Sequence, residues 1–143
     1  MITYLLDVNV LLALGDPLHI HHQPARRWFS DKASLSWATC PITENGFVRI
    51  ASHPSYTNPP GDVPAVLVLL HELRSAPGHE FWPDDISLLE IMQPNAVMSP
   101  GRITDAYLLG LASHRGGKLA TLDTRIPVHA VRGGREAIEY VIE

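Results

Sequence analysis

Residues Tyr4 to Leu14 read YLLDVNVLLAL, nine apolar side chains interrupted by Asp7 and Asn9. Tyr4 to Asp7 has the profile of a short buried strand, and Val8 to Leu14 continues as an apolar helix that Gly15-Asp16-Pro17 stops. A carboxylate in such a run costs several kcal/mol unless it is neutralised, paired or bound to a cation. The neighbours of Asp7 offer only the amides of the following helix, so this residue points to a partner elsewhere in the chain or to a bound ion.

Working outward, His19 to Lys32 places Ala25, Trp28 and Phe29 at helical spacing with Arg26, Arg27 and Asp31 on the other side, which predicts an amphipathic helix. Ala33 to Ala38 alternates Leu35 and Trp37 with serines and reads as a strand. Thr39 is placed to cap a helix running to about Ser52, with Pro41 in its first turn, where a missing N–H costs nothing. His53 to Asp62 is a turn-rich internal loop, and Val63 to Ser75 is a further amphipathic helix stopped by Pro77-Gly78.

Glu80 to Trp82 is read as a short strand of undetermined partner. Arg102 to Arg115 carries apolar residues at helical spacing, with Thr104 as a candidate cap and Gly116-Gly117 as the stop. Lys118 to Leu122 is a buried strand ending in Asp123, and a last strand falls between Glu136 and Ile142. Strands alternating with helices predict one α/β domain over residues 1–143, a mainly parallel sheet covered on both faces. In such sheets ligands bind beyond the carboxyl ends of the strands, where Asp7 and Asp123 fall.

A chain of 143 residues can bury a sizeable core, and 45% hydrophobic with 18% charged residues excludes disordered, collagen-like and coiled-coil classes. The longest apolar runs, such as Ala65 to Leu70, fall far short of the ~20 residues that span a bilayer, and no basic leader precedes an apolar segment. A cytoplasmic protein without membrane attachment is expected. The one cysteine, Cys40, reads as a core residue. A net charge of −4 runs against simple phosphate binding, unless acids hold divalent ions that attract phosphate while a few arginines on the same face assist.

Four acids stand out by position: Asp7 and Asp123 after strands, Glu44 and Asp105 in first helical turns. The helix macrodipole by itself accounts for acids such as Glu44 and Asp105. Brought together at one end of a sheet, however, four carboxylates repel, by about 4 kcal/mol for two unit charges 4 Å apart at an effective dielectric of about 20. Oxygen-only ligands favour Mg²⁺ or Mn²⁺ over zinc. Such a site suits in-line hydrolysis of a phosphodiester.

The stretches LLDVNVLLAL, ITENGFVRI, TDAYLLGLA and KLATLDTRI resemble, in order and spacing, the four acidic motifs of the PIN-domain family, in particular the VapC-like toxins of toxin–antitoxin pairs. The resemblance implies a three-layer α/β/α fold, Mg²⁺- or Mn²⁺-dependent endoribonuclease activity on RNA, and inhibition by a VapB-like antitoxin. By motif, it makes Asp7 and Asp105 the direct metal ligands, and Glu44 and Asp123 acids that act less directly or at a second ion. Asn9 and Thr121 match polar positions that orient the acids.

Arg49, Arg102 and Arg125 flank the acidic motifs and are candidates for RNA phosphate contacts, each with ion pairing to a site acid as the plain alternative. His19, His21 and His22 lack the spacing of a metal site on one helical face and read as a solvated helix start. Trp28, Phe29, Trp37 and Leu108 are expected in the core. Apolar surface around the second helix and Val63 to Leu73 can serve an antitoxin or dimer interface, and a homodimer is expected. A haloacid-dehalogenase-like phosphatase would need an acid where Asn9 stands. The remaining alternative is a PIN-like scaffold or binding module whose acids only cap helices and pair with bases.

Overall fold

The computed structural model describes residues 1–57 and 60–142. Asn58 and Pro59 of the loop expected over His53 to Asp62, and Glu143, lie outside the described residues. Five strands, β1 (Tyr4–Leu6), β2 (Trp37–Thr39), β3 (His79–Phe81), β4 (Lys118–Thr121) and β5 (Ile138–Tyr140), form one sheet in the order β3-β2-β1-β4-β5. Every pairing is parallel, with Leu5 opposite both Ala38 and Leu119. The helices are α1 (Val8–Gly15), α2 (His22–Trp28), α3 (Pro41–Ala51), α4 (Val63–Arg74), α5 (Leu88–Ile91) and α6 (Ile103–His114).

Alternation along each strand builds two cores. Tyr4, Leu6, Trp37 and Ala120 face one side, where they meet Val10 and Leu11 of α1, Ala25 and Trp28 of α2, Phe47 of α3 and Val66 and Leu70 of α4. Leu5, Ala38 and Leu119 face the other, against Ile91 of α5 and Leu108, Leu109 and Leu111 of α6. Burial on both faces explains why β1 is apolar without alternation, as parallel strands in three-layer folds are. The chain runs outward from β1 through β2 to β3 and then returns to pair β4 with the other edge of β1. The crevice at this reversal is where Asp7 and the Thr121–Asp123 segment meet.

Several local expectations are corrected. The segment from Ala33 to Ser36 is not strand: a π turn over Phe29–Ala33 extends α2, with Ser34 N–H bonded back to the Phe29 carbonyl, and Leu35 is left 75% exposed. Two alternating pairs are too few to fix a strand against the backbone bonds that continue a helical turn. The helix expected from His19 starts at His22, which is buried with Nδ1 2.7 Å from the Ala13 carbonyl oxygen and so is no part of a solvated start. The N-cap of α3 is Cys40, whose N–H donates to Thr43 Oγ1 at 3.0 Å, while Thr39 ends β2. Thr104 is the second residue of α6 rather than its cap. Cys40 is a free, buried core residue, and β3 finds its partner in β2. Among the described residues, no helix is long and apolar enough to cross a membrane.

Candidate active site

Asp7 follows the last residue of β1 and caps α1, its Oδ1 accepting the Val8 N–H at 2.7 Å. Its backbone N–H donates to Ala120 O at 2.9 Å, which locks it to the end of β4. There the Thr121 hydroxyl donates to Asp7 Oδ2 at 2.8 Å, while Thr121 Oγ1 itself accepts from Asn9 Nδ2 at 3.2 Å and from the Asp123 N–H at 3.1 Å. Asn9 completes the clasp with its Oδ1, which accepts the Leu122 N–H at 3.1 Å. The Thr121 hydroxyl is thus saturated, one bond donated and two accepted, and cannot turn away from the carboxylate. These contacts place both expected orienting residues around Asp7.

The electrostatics of Asp7 are unusual. Burial pushes its pKa up to about 6, helped by the charges of Asp105 and Asp123 and resisted by the bonds from Thr121 and Val8. Among the described residues no Lys, Arg or His side chain forms an ion pair with it. The cost recognised in YLLDVNVLLAL therefore stands without a compensating side-chain cation.

Asp7 opens onto a pocket of about 510 Å³ whose lining includes Val8, Pro41, Asn45, Arg49, Thr104 and Asp105. The first turn of α6 carries Asp105 to the wall of this pocket, and α3 supplies Asn45 and Arg49, four residues apart on one helical face. Asp123 lies behind Asp105 through Arg102, whose Nη1 donates to Asp105 Oδ2 at 3.0 Å and Asp123 Oδ2 at 2.6 Å. The other oxygen of Asp123 accepts from the backbone N–H of Arg125 at 2.9 Å and from its Nε at 3.3 Å. Burial opposes ionisation of Asp123, but these bonds, led by Arg102, hold its carboxyl below the usual range.

Glu44 is not on this pocket. It accepts from the Thr39 hydroxyl at 2.6 Å and pairs with Arg74 at 3.3 Å, while Thr39 Oγ1 also lies 2.7 Å from His79 Nε2. Asn45, one residue on and turned by about 100° around α3, lines the pocket with Asp7 instead. Asn45 was not legible as a site residue, because a polar residue next to a motif acid carries no mark of which way the helix is rotated. Of the three arginines, Arg49 alone lines the pocket; Arg102 and Arg125 are bound to the acids.

Asp7 and Asp105 offer only oxygen donors, and the uncompensated carboxylate of Asp7 fits a hard divalent cation. The position of the Arg102 guanidinium between Asp105 and Asp123 shows that this side of the site already attracts positive charge. Among the described residues no three His, Cys, Asp or Glu side chains converge into a ready-made cage, so an ion here would be held by few protein ligands and by water, as Mg²⁺ commonly is.

The PIN domain family model matches residues 4–131. Ribonuclease VapC39 of Mycobacterium tuberculosis is 44% identical over 133 residues, 92% of this chain and 96% of that protein. Ribonuclease VapC44 of the same organism is 43% identical over 131 residues, 90% of this chain and 92% of that protein. The crystal structure of M. tuberculosis VapC20, described as a Sarcin-Ricin loop cleaving toxin, superposes with a TM-score of 0.60 at 12% identity over 90% of this chain and 96% of that one. VapBC2 from Rickettsia felis bound to a promoter DNA fragment gives 0.56 at 13% identity, covering 97% and 98%. The latter two are too distant to show more than a shared fold, the three-layer α/β/α sandwich expected from the sequence. With the family model spanning the two strands that flank the crevice, β1 and β4, and the VapC ribonucleases matching nearly end to end, the chain belongs to the PIN-domain family, in its VapC ribonuclease branch.

Proposed function

We propose that the chain is a Mg²⁺- or Mn²⁺-dependent endoribonuclease, the toxin of a VapBC-type pair, which cleaves RNA phosphodiester bonds and so inhibits translation and growth in the cytoplasm. The observation that carries this reading is the buried carboxylate of Asp7, without a cationic side-chain partner and facing a pocket whose wall also carries Asp105. The VapC ribonuclease relatives support the class of reaction, and the cognate VapB-like antitoxin and a homodimer are proposed with it.

Asp7 and Asp105 are the residues that would hold the ion, with Asp123 on the Arg102 side and Glu44 outside the pocket. A divalent cation bound there supplies activation of water and neutralisation of the phosphate charge. Thr121 and Asn9 fix the rotamer of Asp7, so its oxygens need no reordering when the substrate arrives. Arg49, exposed on the same pocket, binds an RNA phosphate and orients the scissile bond.

The test is cleavage of total RNA by the purified protein in Mg²⁺ and in EDTA. Asp105→Asn is expected to lower the rate about 100-fold or more with the fold retained, and Glu44→Gln by less than about tenfold, because the Glu44 carboxylate is committed to Thr39 and Arg74. Undiminished cleavage by Asp7→Asn or Asp105→Asn would show the catalytic assignment to be wrong. Cleavage that persists in EDTA would remove the metal.

A further inference from the structure

Arg102 ends a 3-10 turn, Pro100–Arg102, and stands at the entry to α6. One nitrogen of its guanidinium bonds both Asp105 Oδ2 and Asp123 Oδ2, and among the described residues these acids are its only side-chain hydrogen-bond partners. The three acids of the site are therefore neutralised unequally. Asp105 and Asp123 share a cation from the chain itself, whereas Asp7 has none.

We propose that Arg102 is an exchangeable counter-cation: it bridges Asp105 and Asp123 and leaves that side of the site when a divalent ion binds, freeing its guanidinium for the substrate phosphate. This rests on the reading of these acids as divalent-ion ligands. A guanidinium and a divalent ion on adjacent oxygens of one carboxylate repel each other, and the more highly charged ion wins a hard carboxylate oxygen. Among the described residues nothing but these two acids anchors the Arg102 guanidinium by a hydrogen bond or ion pair, and its turn precedes α6 with Pro100 and Gly101 exposed. The arrangement explains how the acids coexist without a metal, and how a chain of net charge −4 would present a positive group to RNA once one is bound.

Two measurements on the full chain test this without relying on cleavage. In calorimetric titrations with Mn²⁺ alone, Arg102→Gln is expected to bind about tenfold more tightly than the wild type, because no resident cation has to be displaced. In the wild-type protein, Mg²⁺ titration followed by nitrogen-15 NMR of the arginine guanidinium groups should convert the Arg102 signal, assigned with Arg102→Lys, from a restrained to a freely rotating group. Equal or weaker Mn²⁺ binding by Arg102→Gln, with the wild type binding normally, overturns the exchange and leaves the metal site standing. If the variant fails to fold, the wild-type spectrum decides, and an Arg102 signal unchanged at saturating Mg²⁺ overturns the exchange. Should neither protein bind Mn²⁺, the metal reading fails and the exchange falls with it.

Discussion

Asp7 is buried without a cationic side-chain partner among the described residues, and that burial has a pH signature. In the folded chain its pKa lies at about 6, against ~3.9 for an aspartate in an unfolded chain, so between these values the native state keeps a proton that the unfolded state has lost. Stability from this group therefore falls as pH rises from about 4 to about 6, and the loss, about 3 kcal/mol, is complete above that window. Asp123 and Glu139 act in the opposite sense. Burial opposes their ionisation, but Arg102 for the first and Trp28 with Lys32 for the second hold their carboxyls low, so their contribution is present above the unfolded pKa and lost as pH falls below it. Urea melts in EDTA should show Asp7→Asn more stable than the wild type at pH 7, with the difference vanishing near pH 4. Saturating Mg²⁺ should raise the melting temperature of the wild type and leave that of Asp7→Asn unchanged.

The elements are fitted together by close approaches that leave no room for a side chain at two helix crossings. A Cβ on Gly46 of α3 would lie 2.7 Å from Val8 Cγ2, next to Asp7 at the start of α1. Gly46→Ala should cost about 1–3 kcal/mol in denaturant unfolding and also weaken Mn²⁺ binding, since relief of the clash separates two walls of the pocket. A Cβ on Gly110 of α6 would run into the side chain of Ile91 on α5, so Gly110→Ala should lower stability by a similar amount, about 1–3 kcal/mol, and leave Mn²⁺ affinity unchanged. Periodicity marked α4 and α6 to within a residue or so, because each has a long apolar stripe and a defined stop, and it missed α5 altogether. That four-residue helix carries a Ser87-to-Glu90 capping box as its only local signal. The cap of α3 was placed one residue early, at Thr39 instead of Cys40, because Thr39 is taken into β2 by its pairing with Phe81.

For the molecule as a whole, a net charge of −4 must be reconciled with a polyanionic substrate. The two cores back the crevice from both sides of the sheet, and only three of the chain's eleven lysines and arginines, Arg49, Arg102 and Arg125, stand at it. RNA binding should then involve few phosphates. With Ca²⁺ in place of Mg²⁺, Arg49→Ala is expected to weaken binding of a single-stranded oligoribonucleotide irrespective of sequence and to lower the slope of log affinity against log salt by about 0.7, checked by filter binding at several salt concentrations.

The sequence by itself determined the layered parallel sheet, since apolar strands alternating with amphipathic helices have few other ways to bury both faces, and it singled out Asp7 because a carboxylate among aliphatics is costly wherever the chain goes. It also identified Thr121 and Asn9 as partners through the family motifs. What only the tertiary structure decided is which acids share a space. Glu44 and Asn45 are adjacent in the chain yet face different neighbours, because helical rotation is set by packing of α3 against α1 and α4. Likewise the bridge from Arg102 to Asp123 spans 21 residues of sequence and exists because α6 folds back along β4, bringing the end of that strand to the start of the helix that precedes it.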